Sequence, residues 1–249
     1  MSVVCAPRKN KKRDNVSVSA LKAELRREAS PSKARLLSGF FKTGPGQYGE
    51  GDVFLGLTVP QSRALARKYL SLGLKGAGSL LKSPVHEERL IALLMLVELY
   101  AGGSEAERAK IFRSYMNGTA FINNWDLVDL SAPKIAGRHL EARSRKPLLR
   151  FAKSKSLWER RIAVVACLHF IRRGEFADIL AISHILLKDQ HDLIHKAVGW
   201  MLREAGKRDL RVLLYFLRRY AAVMPRTMLR YSIEKLPQAQ RRGFMEARG

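Results

Sequence analysis

The segment FINNWDLVDLSAP, residues 121–133, carries aromatic and acidic side chains at a spacing suited to chemistry. Trp125 and Asp129 are four residues apart, so they share one face if the segment is helical. A carboxylate held beside an aromatic ring can stabilise a developing positive charge and orient an attacking water molecule. Asp126 follows Trp125 directly and points about 100° away on an ideal helix. Asp129 is therefore the candidate catalytic carboxylate.

A repeated spacing places two further side chains in equivalent positions. Arg161 lies 36 residues after Trp125, and Lys196 lies 35 residues after Arg161. If these spacings mark repeat units, Trp200, four residues after Lys196, corresponds to Asp129 two units earlier. On a concave surface these aromatic, acidic and basic side chains would converge on one site.

Each of these residues also has an ordinary structural interpretation. A tryptophan in a helix most often packs in the core. An aspartate in a helix is usually solvated or caps a neighbouring helix. Arg160 and Arg161 can equally be surface charges. The sequence alone therefore favours a site without excluding these simpler roles.

The elements that must position these residues are helices. From Pro60 onward, apolar residues recur at three- and four-residue spacing, with glycine and proline between runs of ordinary helix length. A basic or aromatic residue opens an apolar run at spacings of 36, 36, 35 and 34 residues: Arg89, Trp125, Arg161, Lys196 and Arg230. A period near 35 predicts an all-α, HEAT-like helical-repeat solenoid with a concave face. Residues 17–249 are predicted to form one domain, after a disordered basic tail at residues 1–16.

The charge balance indicates a polyanionic partner. The 249 residues include 46 Lys and Arg but only 22 Asp and Glu, a formal net charge of +24. A fold with this excess repels itself, and a polyanion relieves the repulsion. Nucleic acid is favoured over an acidic membrane surface or an acidic protein.

Several classes of protein are disfavoured by the same composition. Two cysteines, Cys5 and Cys167, cannot build a disulfide framework or a zinc finger and are interpreted as free thiols. The apolar runs at 91–97 and 162–168 are too short to span a bilayer, and the N-terminus lacks the apolar core of a signal peptide. We therefore expect a cytoplasmic, nucleoid-associated protein without a membrane partner.

Other catalytic and cofactor motifs find little support. No GxSxG nucleophile motif is present, and His191 and His195 lack the carboxylate of an HExxH metal site. No metal and no cofactor are expected. The glycine-rich stretch at 44–52, GPGQYGEGD, lacks the Lys-Ser/Thr ending of a P-loop and is predicted to be a long surface loop between helices. On a basic protein, such a loop can also lie against a DNA backbone.

Three motifs in order resemble one known family. NNWDLVD at 123–129, LWERRIAVVA at 157–166 and IHKAVGWMLRE at 194–204 are similar to segments of the DNA alkylation repair enzymes of the AlkD-like DNA glycosylase family. FLGLTVPQSR at 54–63 and MPRTMLRYSIEK at 224–235 agree. The resemblance implies a stack of HEAT-like repeats with a concave, basic DNA-binding face. It also implies removal of N3- or N7-alkylated purines from duplex DNA without a metal or cofactor.

The resemblance assigns roles by motif. Asp129 matches the catalytic aspartate, Trp125 and Trp200 match an aromatic pair that contacts the deoxyribose and backbone, and Arg161 matches the accompanying arginine. By a looser alignment, Phe40 or Phe41 matches an aromatic residue on the DNA-facing side. The remaining expected DNA contacts are basic side chains within or beside the same motifs: Arg160, Lys196 and Arg203. The loop at 44–52 aligns poorly, so no role is carried to it.

The implied chemistry follows from charge. An alkylated purine cation is already a good leaving group, and the sugar gains positive charge as the glycosidic bond breaks, which a fixed carboxylate stabilises. The resemblance further implies that the protein contacts the sugar rather than holding the base in a tight pocket. A monomer is expected. The alternatives are a non-catalytic nucleic-acid-binding module and a protein scaffold. The presence of Asp129 with both tryptophans favours the enzyme, and the net charge disfavours the scaffold.

Overall fold

The computed structural model describes residues 16–246, which fold as an all-α protein. No β-strand occurs in this range, and an isolated parallel bridge joins Val53 to Val85. The bounds of the helices are α1 Val18–Arg27, α2 Pro31–Phe40, α3 Val59–Lys68, α4 Gly73–Leu81, α5 His86–Gly102, α6 Glu105–Asn117, α7 Trp125–Ser131, α8 Lys146–Ala152, α9 Leu157–Ile171, α10 Ala177–Ile185, α11 Asp192–Arg208, α12 Leu210–Tyr220, α13 Arg226–Ile233 and α14 Gln238–Glu246. Short 3₁₀ turns lie at Leu70–Leu72 and Thr119–Phe121, and a π-helical turn lies at Pro133–Gly137.

The helices form a repeat in which alternate members stack. The odd-numbered helices α3 to α13 contact one another in chain order, and α4, α6, α8, α10 and α12 each pack against a member of that row. The helical-repeat prediction is confirmed. The basic tail predicted at residues 1–16 lies, except for Val16, outside the described residues, so the predicted domain boundary stays a prediction.

The repeat register differs by one helical turn from the predicted one. Arg161 is the fifth residue of α9, and Lys196 is the fifth residue of α11, but Trp125 is the first residue of α7. Helix α7 begins there because the Asn124 side chain accepts a hydrogen bond from the Trp125 backbone N–H, which caps the helix. Counted from the helix starts, Asp129 rather than Trp125 is therefore equivalent to Arg161.

Two long helices form the centre of the core. Residues 90–96 of α5 and 162–168 of α9 are buried on every side, because both helices are covered by neighbours of the row and by the outer helices. Such helices read as continuous apolar runs, as the sequence shows. The buried Cys167 lies in α9 and is a free thiol, whereas Cys5 lies outside the described residues.

Close helix packing fixes one wall of the site. Gly199 of α11 lies against α13, where a Cβ atom would stand 2.5 Å from Cβ of Tyr231 and 2.6 Å from the carbonyl oxygen of Met228. Only glycine permits this approach. The contact brings Trp200 and Tyr231, from successive repeats, to the same cleft. Within residues 16–246, no helix is long and apolar enough to cross a membrane.

Candidate functional site

A cleft of about 780 Å³ lies along the stacked odd-numbered helices and contains most of the predicted site residues. Its walls come from the end of α2, the following loop, α7, α9, α11 and α13. Aromatic and basic side chains dominate the lining: Phe40, Tyr48, Trp125, Trp200 and Tyr231 with Lys42, Arg161, Lys196 and Arg203. Alternating flat rings and cations suit a polyanion that carries aromatic groups.

Asp129 and Arg161 form a bidentate pair between α7 and α9. Arg161 Nε donates to Asp129 Oδ1 at 2.9 Å, and its Nη2 donates to Oδ2 at 2.8 Å. The third guanidinium nitrogen donates to the carbonyl oxygen of Leu193 at 2.7 Å, which ties α9 to the first turn of α11. Planar guanidinium geometry makes this two-point contact specific. The pair therefore fixes the orientation of the carboxylate across three repeats.

The Asp129 carboxylate is partly desolvated but retains access to solvent. Its side chain is 20% exposed, and it lies beside the cleft under Arg161 rather than on the lining itself. Burial raises the pKa of Asp129, and the charge and hydrogen bonds of Arg161 oppose that rise. Two of the roughly four lone-pair positions of a carboxylate are used by Arg161. The rest can face a developing positive charge.

Trp125 is held by a ladder of rings on its side away from the cleft. Phe41 stacks on Trp125 with ring centroids 5.1 Å apart, and Phe54 stacks on Phe41 at 5.1 Å. His86 in turn stacks on Phe54 at 4.5 Å. Phe40 meets Trp125 edge-on at 5.7 Å and is exposed beside it. The ladder leaves little freedom for the indole ring.

A buried histidine anchors the start of α7. Nδ1 of His86 lies 3.2 Å from Asp52 Oδ2, and Nε2 lies 2.8 Å from Asp126 Oδ2. Both ring nitrogens face carboxylate oxygens, so both must donate, which makes the ring an imidazolium. Asp52 also accepts from Arg89 at 2.6 Å. The cluster binds the end of the loop at 44–52, helix α5 and helix α7 together.

Electrostatics keeps this histidine charged. Burial lowers the pKa of His86, but hydrogen bonds to Asp126 and Asp52 outweigh burial and raise the pKa to about 9. Burial alone would raise the pKa of Asp52, yet His86 and Arg89 hold it below its usual value. The cluster is therefore composed of two carboxylates and two cations at neutral pH.

The imidazolium predicts a loss of stability at alkaline pH. The pKa of His86 is about 9 in the folded protein and about 6.5 in an unfolded chain, so its stabilisation is fully present below pH 6.5. It is lost as the pH rises through 9, and the free energy of unfolding should fall by up to about 3 kcal/mol. Urea unfolding between pH 6.5 and 10 measures this fall. A His86→Gln variant with the same pH slope as the wild type would contradict the assignment.

The structure brings together six of the nine residues that sequence reasoning selected. Trp125, Trp200, Arg161, Phe40, Lys196 and Arg203 line the cleft, and Asp129 adjoins it. Phe41 is buried behind Trp125 and supports it instead of facing the cleft. Lys196 pairs with Asp192 at 2.7 Å, and Arg203 pairs with Glu234.

Arg160 lies elsewhere. Its Nε donates to Asp189 at 2.6 Å, and its Nη1 donates to the carbonyl oxygens of Ser154 and Lys155. One residue along a helix turns the side chain by about 100°, so Arg160 points away from the face that carries Arg161. The predicted contact of Arg160 with DNA is therefore not supported by its position, and its guanidinium closes the preceding loop instead.

Sequence reasoning missed three residues of the cleft. Tyr48 comes from the glycine-rich loop, for which no role was assigned, and Tyr231 comes from α13. Lys42 ends α2 in the left-handed region, with φ of 56°, where glycine is the usual residue. That conformation costs of order 1 kcal/mol for a non-glycine residue, which favours a role for its ammonium group at the cleft. Glycine enrichment of the loop was the one available signal.

The part of the chain that the structure describes holds no cluster of three or more His, Cys, Asp or Glu side chains that could bind a metal ion. His191 and His195, which the sequence places four residues apart, each bond to the neighbouring backbone instead. Nδ1 of His191 accepts from the Leu193 N–H at 3.1 Å, and Nε2 of His195 lies 2.5 Å from the carbonyl oxygen of Asp189.

Comparisons with known proteins identify the fold and the family. A family model described as DNA alkylation repair enzyme matches residues 21–236. Among solved structures, a protein described as a predicted DNA alkylation repair enzyme from Enterococcus faecalis superposes with a TM-score of 0.69. It is 17% identical, and the match covers 84% of this chain and 97% of that one, a likeness that shows a shared fold. No curated protein matches the chain.

Proposed function

Because the chain belongs to the DNA alkylation repair enzyme family, we propose that it is a DNA glycosylase that hydrolyses the N-glycosidic bond of N3- or N7-alkylated purines in duplex DNA. Family membership supports a DNA repair role. The glycosylase reaction is supported chiefly by one observation, a carboxylate fixed by Arg161 beside a cleft lined with two tryptophans and several cations. No other group of side chains on the cleft combines these properties.

The proposed reaction needs no acid to protonate the base. The alkylated purine carries a positive charge, and it takes the electron pair of the breaking glycosidic bond as it leaves. Positive charge develops on the deoxyribose, as in other glycoside cleavages. Asp129 stabilises that charge and accepts the proton of a water molecule that attacks the anomeric carbon. The products are the free neutral base and an abasic site.

Arg161 acts as a positioning residue in this scheme. Its two hydrogen bonds fix the Asp129 carboxylate before the substrate arrives, so little reorganisation is needed during the reaction. The faces of Trp125 and Trp200 supply cation–π attraction to the charged sugar from two repeats. Lys42, Lys196 and Arg203 are placed to hold phosphates.

A non-catalytic DNA-binding module is the second candidate. It is favoured by the engagement of both Asp129 oxygens by Arg161 and by the position of Asp129 behind the cleft lining. Under that interpretation, Asp129 would serve only to join α7 to α9. The two candidates make the same prediction for DNA binding and opposite predictions for base release.

Base release distinguishes the two. The purified protein is incubated with duplex DNA containing N7-methylguanine, and the free base is quantified over time. The glycosylase should release N7-methylguanine but neither uracil nor undamaged guanine, because no group on the cleft is placed to protonate a neutral leaving base. Tight DNA binding without release of N7-methylguanine or of 3-methyladenine would establish the binding module instead.

DNA affinity should depend steeply on salt. Each phosphate neutralised by a basic side chain releases counterions, with a slope in log K against log salt of about −0.9. For roughly 4–8 phosphate contacts the total slope should lie between about −4 and −7. Titrations of an undamaged duplex at several salt concentrations measure it. An affinity that does not change with salt would remove the electrostatic basis of the proposal.

A further inference from the structure

A second cavity of about 450 Å³ adjoins the cleft and is almost wholly apolar. Phe40 and Trp125 line both cavities and form the partition between them. The floor consists of buried side chains, among them Phe41, Phe54 and Leu90. Its volume falls within the range of about 300–1,000 Å³ usual for small-molecule sites.

The rim of this pocket is apolar and open to solvent. Leu36 and Phe40, one turn apart on α2, are 74% and 62% exposed, and Val59 at the start of α3 is 46% exposed. No residue of α2 is buried. A helix that leaves its apolar face in water beside a deep apolar pocket indicates a binding surface.

The surroundings favour a nucleic acid over a peptide as the occupant. Lys33 stands on the pocket wall, Arg35 follows on the same helix, and Lys42 lies at the adjoining cleft. A polyanion held in the cleft would pass the mouth of the pocket. The apolar, flat groups that such a ligand offers are its bases.

We propose that this pocket receives a nucleobase displaced from the duplex that occupies the cleft, a proposal that rests on the DNA binding within the proposed function. Phe40 stands between the two cavities, exposed and apolar, as a wedge that enters the base stack. The displaced base then packs against the rings and aliphatic walls behind it. Asp126, on the pocket wall, offers a carboxylate oxygen to an amino group of the base.

The proposal departs from the expectation that the family resemblance set. That expectation was contact with the sugar and no tight pocket for a base. Here the cleft retains the sugar-contacting tryptophans, while a separate apolar pocket lies on the far side of Trp125. The two can operate together, because a base that leaves the stack exposes its own sugar to the cleft.

Binding to three undamaged duplexes tests the pocket. One duplex is fully paired, one carries a single extra guanosine as a bulge, and one carries the same bulge without its base. Stacking of one base on a protein typically changes affinity enough to predict about a tenfold preference for the guanosine bulge over both other duplexes. Fluorescence anisotropy of end-labelled DNA gives the three affinities. Equal affinity for both bulges would overturn the proposal, because the protein would then recognise a distorted backbone.

A matched pair of variants ties the preference to this pocket. Leu36→Ser with Val59→Ser removes two exposed rim side chains and should abolish the preference for the guanosine bulge. Leu210→Ser with Val223→Ser makes the same chemical change at exposed positions outside both cavities and should retain it. Retention of the preference by the rim variant would overturn the assignment.

The outcome is separable from that of the proposed function. The binding assay uses undamaged DNA, so a preference for the guanosine bulge supports the pocket even if no alkylated base is released. Release of N7-methylguanine without any bulge preference supports the glycosylase and overturns the pocket. Absence of DNA binding overturns both.

Discussion

Replacing Asp129 by asparagine should slow the release of N7-methylguanine by roughly 10²- to 10³-fold, the usual cost of losing a well-placed electrostatic group. Asparagine conserves the shape of the side chain but removes the negative charge that faces the sugar. It also keeps one oxygen that can accept from Arg161, so the fold should persist. DNA affinity should change little, because Asp129 makes no cationic contact with phosphate.

Single-turnover release from duplex DNA measures this effect, with anisotropy for affinity and circular dichroism for folding. Asp192→Asn is the control, because Asp192 is a carboxylate on the lining of the same cleft. Its loss removes the same charge from the cleft without touching Arg161. If Asp129→Asn released the base at the wild-type rate, Asp129 would not be the catalytic carboxylate, and the second candidate function would gain the support.

Replacing Arg161 by methionine should cost about 3–5 kcal/mol in the free energy of unfolding, because the carboxylate of Asp129 would be left without its partner in a largely buried position. Base release should also fall steeply, since the carboxylate loses its fixed orientation. Its pKa should rise further, so the remaining activity should need a higher pH. Denaturant unfolding and a pH profile of single-turnover release measure the two effects.

The neighbouring arginine provides a matched control for that variant. Arg160, like Arg161, pairs with a carboxylate of another segment and donates to backbone carbonyls. Arg160→Met should therefore destabilise the fold to a similar degree while leaving base release and DNA affinity of the folded protein near wild type. Equal losses of activity in both variants would show that Arg161 acts only through stability.

Much of the candidate site could be predicted because it follows helical periodicity. Trp125 and Asp129 share a face through their spacing of four, and the period near 35 brought Arg161 and Trp200 to adjacent helices. The error of one turn at α7 arose because the repeat spacing does not show where a helix is capped. The capping role of Asn124 depends on a local hydrogen bond rather than on periodicity.

Other parts of the site could not be predicted from spacing. The His86 cluster joins residues 34 and 40 positions apart through a loop without periodic pattern, so only the folded chain shows the contact of Asp126 with His86. Tyr48 reaches the cleft from a glycine-rich loop for the same reason. The apolar pocket likewise depends on the packing of α2 against the starts of α3 and α5, which no sequence motif marks.

The hydrogen bonds of Arg161 constrain how this chain can change in length during evolution. Repeat proteins commonly gain or lose whole units, because each unit contacts only its neighbours. Here one guanidinium joins Asp129 of α7 to the backbone at Leu193 of α11, across three consecutive units. A duplication or deletion between α7 and α11 would separate these partners and dismantle the site in one event. Units added before α3 or after α13 would leave it intact, so any growth of the solenoid is confined to its ends.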